Sequence, residues 1–555
     1  MRLTFRTVGY CGYGIYHDIK SRLPYYVSDF TDAWNYRVIP STTFIFFTNL
    51  LPAIAFAQDM FDKTQRSYGL NEVLLSSAIG GVVFGLLAGQ PLCIVGVTGP
   101  ISIFSYTVYE LIQPRGTPYF PFMCWIYLWS MVFHLVIAVA NLVSLLKIIS
   151  TFSCDVFGFF ICIVYIQKGI QILSKQFDQV DLASGYCSVM IAVLMVVFGV
   201  GSGVFGSQLH YFRPWVRKVF VDYGVCMAVI FFTGFIHFGG KLDDTQLARL
   251  PITKSFVPTH QGSDRQHGWF IHFWPGEHIA TADVFLAIPF AILLTFLFYF
   301  DHNVSSLMCQ SKEYPLKKPS SFHWDFALLG ITTGLAGILG IPAPNGLIPQ
   351  APLHSDSLVV HSRDGKAISV VEQRVTNTLQ GLITIVMMTR PFLVVLGLIP
   401  QAVLAGLFFV MGISGLNGNI ITNRIRYVFM DRDYIEHDPS CPAVFTDIHA
   451  LNPNRWYYLY LVLEIVAAMA EFAITCTKGA VGFPGVLLFF AVCAKWVWPL
   501  FIPQEELKQL DGEVADEFII KSLRIVDEAR KSTSDDEEKQ ESVHSRAYEV
   551  HTGGA

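Results

Sequence analysis

Pro91-Leu92-Cys93-Ile94-Val95-Gly96-Val97-Thr98-Gly99-Pro100 and Pro342-Ala343-Pro344-Asn345-Gly346-Leu347-Ile348-Pro349-Gln350-Ala351-Pro352 are the two stretches that decide how this chain is read. Each follows a glycine-rich apolar run and is punctuated by glycine and proline. Proline is tolerated in the first turn of a helix but breaks its interior, so each stretch reads as extended backbone feeding a half-length helix.

The sequence around them is unusually apolar. Of 555 residues, 53% are hydrophobic and 15% charged, where soluble domains carry about 25% charged residues; the mean hydropathy is +0.47. The apolar residues come in blocks of about 20, the length that crosses a bilayer as helix. Soluble enzymes, nucleic-acid binders and disulfide scaffolds are excluded. The net charge of −5 carries little information, because acids collect in the last 50 residues. Full-length apolar stretches lie near 41–60, 73–91, 119–146, 150–173, 186–206, 216–238, 282–300, 325–342, 375–397, 400–417, 456–476 and 481–501. With the two broken segments in third and tenth place, the expected fold is an all-α polytopic membrane protein of 14 transmembrane segments.

The offsets expose a repeat. The first span begins near 41 and the eighth near 282; the broken segments centre near 98 and 347; the fifth span begins near 150 and the twelfth near 400. Seven spans per half is an odd number, so the halves are inverted. Paired Gly/Pro-interrupted segments at matching places in inverted halves point to the substrate site of a transporter. Placing the N-terminus in the cytosol puts 27 of the 38 Lys and Arg residues on the inner side or in the tail, as the positive-inside rule requires. Both termini are therefore expected in the cytosol, and the first span must itself direct insertion.

A half-helix beginning at mid-membrane aims free backbone N–H groups and a positive dipole end inward. Two such ends facing each other hold an anion or a hydroxyl-rich solute without a basic side chain. Thr98, Gly99 and Ser102 on one side and Asn345, Gly346 and Gln350 on the other supply small or polar lining. Asp301 follows the run Leu293–Phe300, and its helix reads as continuing to Met308, which places a carboxylate inside the membrane. Such residues face a pathway or a partner. Asp155 and Lys168 of the fifth span and Glu464 and Glu471 of the thirteenth compete with it; Asp155 and Glu471 lie near span ends, where a headgroup position is expected. The sequon Asn303-Val304-Ser305 falls on the embedded side and is discounted. The eleven cysteines are scattered, without CxxC or Cys/His pairing. Neither a metal nor a cofactor site is expected, and no nucleophile triad or phosphate loop is present. The residues alone indicate a transporter of a small polar solute, with a channel or a solute sensor as alternatives from another class.

The same residues carry a resemblance. Leu51–Phe56 with Ala88–Pro100 resembles the first and third spans of the bicarbonate transporter and anion exchanger superfamily. Phe300–Val304 is similar to its eighth span, Ile341–His354 to its tenth in the form found in plant and fungal borate exporters, and Val403–Gly412 to its twelfth. The resemblance covers about residues 40–503. It implies a short cytosolic segment (1–40), a core domain from spans 1–4 (41–147) and 8–11 (282–398), and a gate domain from spans 5–7 (148–238) and 12–14 (399–503). An extracellular loop (239–281) and a cytosolic tail (504–555) complete the expected plan. The tail reads as an amphipathic helix over Glu505–Arg530 followed by an acidic disordered stretch.

On this resemblance the core slides against the gate, the lipid-embedded protein is a homodimer through the gate, and substrate binds at Asp301, Gln350, Thr98, Gly99, Asn49, Phe56, Asn345 and Gly346. Asp301 is the expected coupling carboxylate, its protonation following substrate occupancy. Gln350 stands where chloride/bicarbonate exchangers carry arginine. An amide offers donors and an acceptor without charge, which suits boric acid or borate. The implied activity is boron export, with general anion or bicarbonate exchange next and a nucleobase or sulfate carrier after it. The implied location is the plasma membrane, with the vacuolar membrane as the alternative.

Overall fold

The computed structural model describes residues 11–512 except 180, 208, 210, 239–246, 263–264, 266–267, 362–366, 439–440, 452, 478 and a few isolated positions beyond, namely 514, 518, 519 and 523. Most of the expected tail, including the acidic stretch, lies outside the described residues. The apolar blocks form helices, as bilayer-length runs with no competing polar pattern must. Among the described residues ten helices are long and apolar enough to cross a membrane. They are span 1 (Val38–Lys63), 2 (Leu70–Leu87), 4 (Tyr119–Val139), 5 (Thr151–Gln179), 6 (Leu182–Ser207), 7 (Pro214–Phe235), 8 (Thr281–Met308), 12 (Gln401–Gly418), 13 (Arg455–Thr475) and 14, whose main helix is Phe483–Trp496.

Three of the twelve expected full spans differ from a straight crossing. Span 11 breaks into Val375–Met387 and Arg390–Leu396, bent by 87°. The cause is Pro391 in the first turn of the second piece, with Thr389 extended before it; a proline there has no N–H to continue the ladder and excludes the carbonyl four residues back. Span 9 is the shorter His323–Leu339, closed by Gly340 in the left-handed region (φ 59°), a glycine C-terminal stop. Span 4 ends at Val139 rather than 146, where Asn141 turns left-handed (φ 57°) into a 3-10 stretch, Leu142–Ile148.

The two broken segments form the half-helices Gly99–Ile112 and Gln350–Ser357. Span 2 packs on the first part of span 11, span 4 on spans 8 and 9, and span 1 on spans 2 and 11. Span 12 packs on spans 5 and 6, span 6 on span 7, and span 5 on span 13. The two sets meet where span 1 touches span 12 and span 8 touches span 14.

Two segments without an assigned role prove to be structural. In the loop before span 8, Arg265 donates to the carbonyls of Leu339 (2.7 Å) and Gly340 (2.6 Å) and pairs with Glu72, so it ties the end of span 9 to the start of span 2. In the short N-terminal segment, fully buried Asp29 accepts from Arg22 (3.0 Å), Arg374 (2.9 Å) and Lys318 (2.7 Å). Three cations around one carboxylate keep it satisfied without water, and they bind this segment to the turns before spans 9 and 11.

Candidate substrate-binding site

The two broken segments cross as a short antiparallel pair, Val95 opposite Gly346 and Gly96 opposite Asn345. The Leu347 N–H extends the pair to the Ile94 carbonyl (2.9 Å). Unwound backbone survives at this depth only when its polar groups are paired or line a polar cavity, and here each segment pairs the other. Immediately past the crossing Thr98, in extended conformation, caps the first half-helix, its hydroxyl accepting from the Ile101 N–H (3.5 Å). The second half-helix begins at Gln350 with Pro349 ahead of it and no side-chain cap.

Asp301 stands on span 8 against this crossing, 2% exposed. Its Oδ2 accepts from Asn345 Nδ2 (2.9 Å), and the same side chain's Oδ1 accepts from the Gly346 N–H (2.8 Å). The Thr98 hydroxyl also interacts with the Asp301 carboxyl. The structure thus brings together Asp301, Thr98 and Asn345 from three separate stretches.

Gly99 and Phe56 lie beside them. A Cβ on Gly99 would come within 3.3 Å of the Phe56 and Tyr165 rings. Phe56 (span 1), Tyr165 (span 5) and Phe408 (span 12) form a ring cluster with centroids 5.6–6.1 Å apart. Gly346 plays a different part: a Cβ there would lie 2.9 Å from the Cα of His302 and from the Cβ of Ser305, so this glycine lets the crossing press onto span 8.

Asn49 and Gln350 sit together on the neighbouring side. Gln350 Nε2 donates to the Thr48 carbonyl (3.1 Å), and Asn49 Nδ2 donates to Gln380 Oε1 (2.9 Å). The buried oxygens Asn49 Oδ1 and Gln350 Oε1 have no protein partner. Two buried acceptors left open on the polar side chains that flank the crossing favour a ligand that brings its own hydroxyl donors.

Asn377 and Gln380 of span 11 were not singled out by the sequence. Gln380 bonds Asn377 (3.2 Å), which donates to the carbonyls of Pro91 and Cys93 (3.3 and 3.0 Å). This amide pair anchors the first broken segment. The signal was present as Thr376, Asn377, Gln380 and Thr384, a polar stripe at helical spacing in an apolar span.

The rivals of Asp301 divide. Lys168 pairs with Asp59 (2.9 Å) and donates to the Tyr106 hydroxyl (2.8 Å). Glu464 pairs with Arg424. Asp155 is half-buried near the start of span 5, just past its first turn. Glu471, expected at the headgroups, is instead fully buried. Asn303 of the sequon is buried and donates to the Tyr299 carbonyl (2.7 Å).

A cavity of about 320 Å³ opens beyond the ring cluster, lined by Ile103, Tyr106 and Glu110 of the first half-helix, Lys63, Lys168 and Thr475 among others. Gly99, Ile103, Tyr106 and Glu110 share one helical face, so the cavity follows the half-helix from its far end toward its start. An HCO3- transporter integral membrane domain matches residues 9–196 and 186–515, together most of the chain. The chain belongs to this family. It is 53% identical over 529 residues to Boron transporter 1 of Saccharomyces cerevisiae, covering 94% of this chain and 89% of that protein. Human Band 3 anion transport protein is 27% identical over 530 residues, 90% of this chain but only 56% of the longer relative. The fold is similar to that of SLC26A9, with a TM-score of 0.51, 11% identity and coverage of 85% of this chain and 67% of that one. This family member is an integral membrane protein, and the relatives named here are transporters.

Proposed function

We propose that this chain is a secondary active transporter that exports boric acid or borate, and not an enzyme. The observation that carries the reading is the Asp301–Asn345 hydrogen bond at the crossing of the broken segments, with Gln350 at the start of the half-helix that follows and no cationic side chain in that set. A carboxylate and two open amide oxygens accept hydrogen bonds, and boric acid supplies three hydroxyl donors. Chloride supplies none. The 53% identity to a protein named for boron transport supports the same solute.

In the proposed cycle spans 1–4 and 8–11 form a core that slides against a gate of spans 5–7 and 12–14, exposing the site to each side in turn. The ring cluster of Phe56, Tyr165 and Phe408 lies where the two sets meet, and its apolar faces let them slide. Asp301 accepts a proton or a solute hydroxyl, linking efflux to a proton gradient. The proposal includes a homodimer through the gate, the plasma membrane as location and cytosolic termini, the last supported by the distribution of Lys and Arg. A second reading, general inorganic anion exchange, is favoured by Lys63 and Lys168 in the cavity wall.

The deciding experiment measures boron content in expressing and non-expressing cells held in high boron, then boric acid counterflow in proteoliposomes. Lower cellular boron with saturable counterflow is expected. Chloride or bicarbonate counterflow without any for boric acid favours the second reading. A non-saturable flux replaces the carrier with a channel.

A further inference from the structure

Span 13 carries two carboxylates on one face, two turns apart, and both are fully buried. Their surroundings differ. Glu464 is held by Arg424 from the helix Ile420–Phe429. Glu471 has no counter-ion, and neither of its carboxyl oxygens has a protein hydrogen-bond partner. Span 13 is packed by span 5, span 14, the 3-10 turn Ala480–Gly482 and the helices Ile420–Phe429 and Gln504–Leu510. The charged groups on these elements are engaged elsewhere, Lys168 of span 5 with Asp59, Arg424 with Glu464 and Glu506 with Asn454, and among the described residues none is hydrogen-bonded to Glu471.

An ionised carboxylate without counter-charge or hydrogen bond is not kept inside a membrane protein by chance, and intramembrane carboxylates mark ion and proton pathways. The ligand that satisfies it follows from what is missing. A metal cation needs several oxygen ligands at bonding distance, and no second polar atom reaches Glu471; no cluster of three or more His, Cys, Asp or Glu occurs among the described residues. A proton alone neutralises the group. Access is short. Thr475 is one turn further along the same helix, about 6 Å, and it lines the cavity together with Cys476, Thr477, Lys63 and Lys168. The charge distribution of the sequence makes that end of the bundle the outer one.

We propose that Glu471 is a proton-binding site loaded from the outer cavity, separate from the solute site at Asp301, whose occupancy sets how transport depends on external pH. The step is a simple protonation, carboxylate plus proton giving the neutral acid, reversed when the proton leaves. This inference rests on the transporter reading but not on the identity of the solute. The proton-loaded form is the transport-competent one, so transport falls as external pH rises.

The test uses the full chain in proteoliposomes, with internal pH fixed and external pH stepped, and boric acid counterflow as the readout. Glu471→Gln, neutral at every pH and nearly isosteric, is expected to retain transport at acidic external pH and to keep only the part of the external-pH dependence that coupling through Asp301 supplies. Glu471→Asp restores a titratable group and is expected to restore a dependence with a displaced midpoint. Superimposable external-pH profiles for wild type and Glu471→Gln overturn the proposal. Infrared difference spectroscopy on external acidification needs no solute and separates failure of this site from failure of the boron assignment. Wild type is expected to show carboxylic-acid carbonyl intensity of which Glu471→Gln lacks one component, leaving that of Asp301, and an unchanged difference spectrum in the variant overturns the proposal even where no counterflow occurs.

Discussion

The two broken segments are related by the inverted repeat, yet they meet different surroundings. The first feeds a 14-residue half-helix whose start, Gly99, abuts the rings of Phe56 and Tyr165. The second feeds an eight-residue half-helix whose start, Gln350, bonds to the Thr48 carbonyl, and whose strand carries Asn345 against Asp301. Both halves keep the backbone arrangement: an extended strand, a crossing, then a helix N-terminus with its partial positive charge. The carboxylate and every site amide except Asn49 come from the second half. Both halves preserve the means of unwinding a helix in a membrane, while most of the polar chemistry lies in the second half and two of the three rings of the cluster, Phe56 and Tyr165, in the first.

That division is broken most severely by removing the one charge it assigns to the second half. Asp301→Asn keeps the size and a hydrogen-bonding side chain while deleting the carboxylate. Net boric acid transport in proteoliposomes is expected to be lost, with the elution profile in size-exclusion chromatography unchanged. Normal export by the asparagine variant over a range of pH would remove Asp301 from the coupling role.

The two glycines sharpen the comparison. A methyl at Gly346 meets the backbone of span 8 at 2.9 Å, and backbone in a packed bundle does not yield; overpacking of this kind costs about 1–3 kcal/mol. A methyl at Gly99 meets ring edges at 3.3 Å, where side chains can give by a few tenths of an ångström. Gly346→Ala is therefore expected to lower thermal stability in detergent, and Gly99→Ala to leave it nearly unchanged while slowing transport. Equal melting temperatures for the two variants would mean that the crossing is not pressed against span 8 as described.

The features that differ between the halves also differ in how openly the sequence displays them. Glycine and proline announce an unwound segment directly, because only they change what the backbone can do, so both broken segments were legible. Asp301 was legible because a carboxylate among Phe and Leu residues has few innocent explanations. The bend in span 11 is hidden in the sequence, although Arg390-Pro391 carries it, because the hydropathy runs on without interruption. Glu471 lies near the end of the apolar run 456–476, where a headgroup position is the ordinary expectation. The turn Ala480–Gly482 instead packs on the first half-helix and helps to enclose it. The Asp29 cluster joins residues nearly 350 positions apart and leaves no local pattern. Periodicity reports which face of a helix is buried, and it is silent about what lies across from that face.

The smallest expected effect probes the residue that most distinguishes the second half from the anion exchangers it resembles. Gln350 Nε2 holds the Thr48 carbonyl, and its Oε1 is buried without a protein partner. Gln350→Arg replaces that open acceptor with a fixed cation at the start of the second half-helix. A guanidinium is always charged and donates only, so it disfavours a ligand that brings hydroxyl donors and favours a permanent anion, whatever contact it keeps with Thr48. A shift of about tenfold in the ratio of chloride to boric acid counterflow, roughly 1.4 kcal/mol, is the expected outcome in liposomes. An unchanged ratio would mean that the solute is selected by the crossing and Asp301 alone, and that the amide at 350 serves only to tie the second half-helix to span 1.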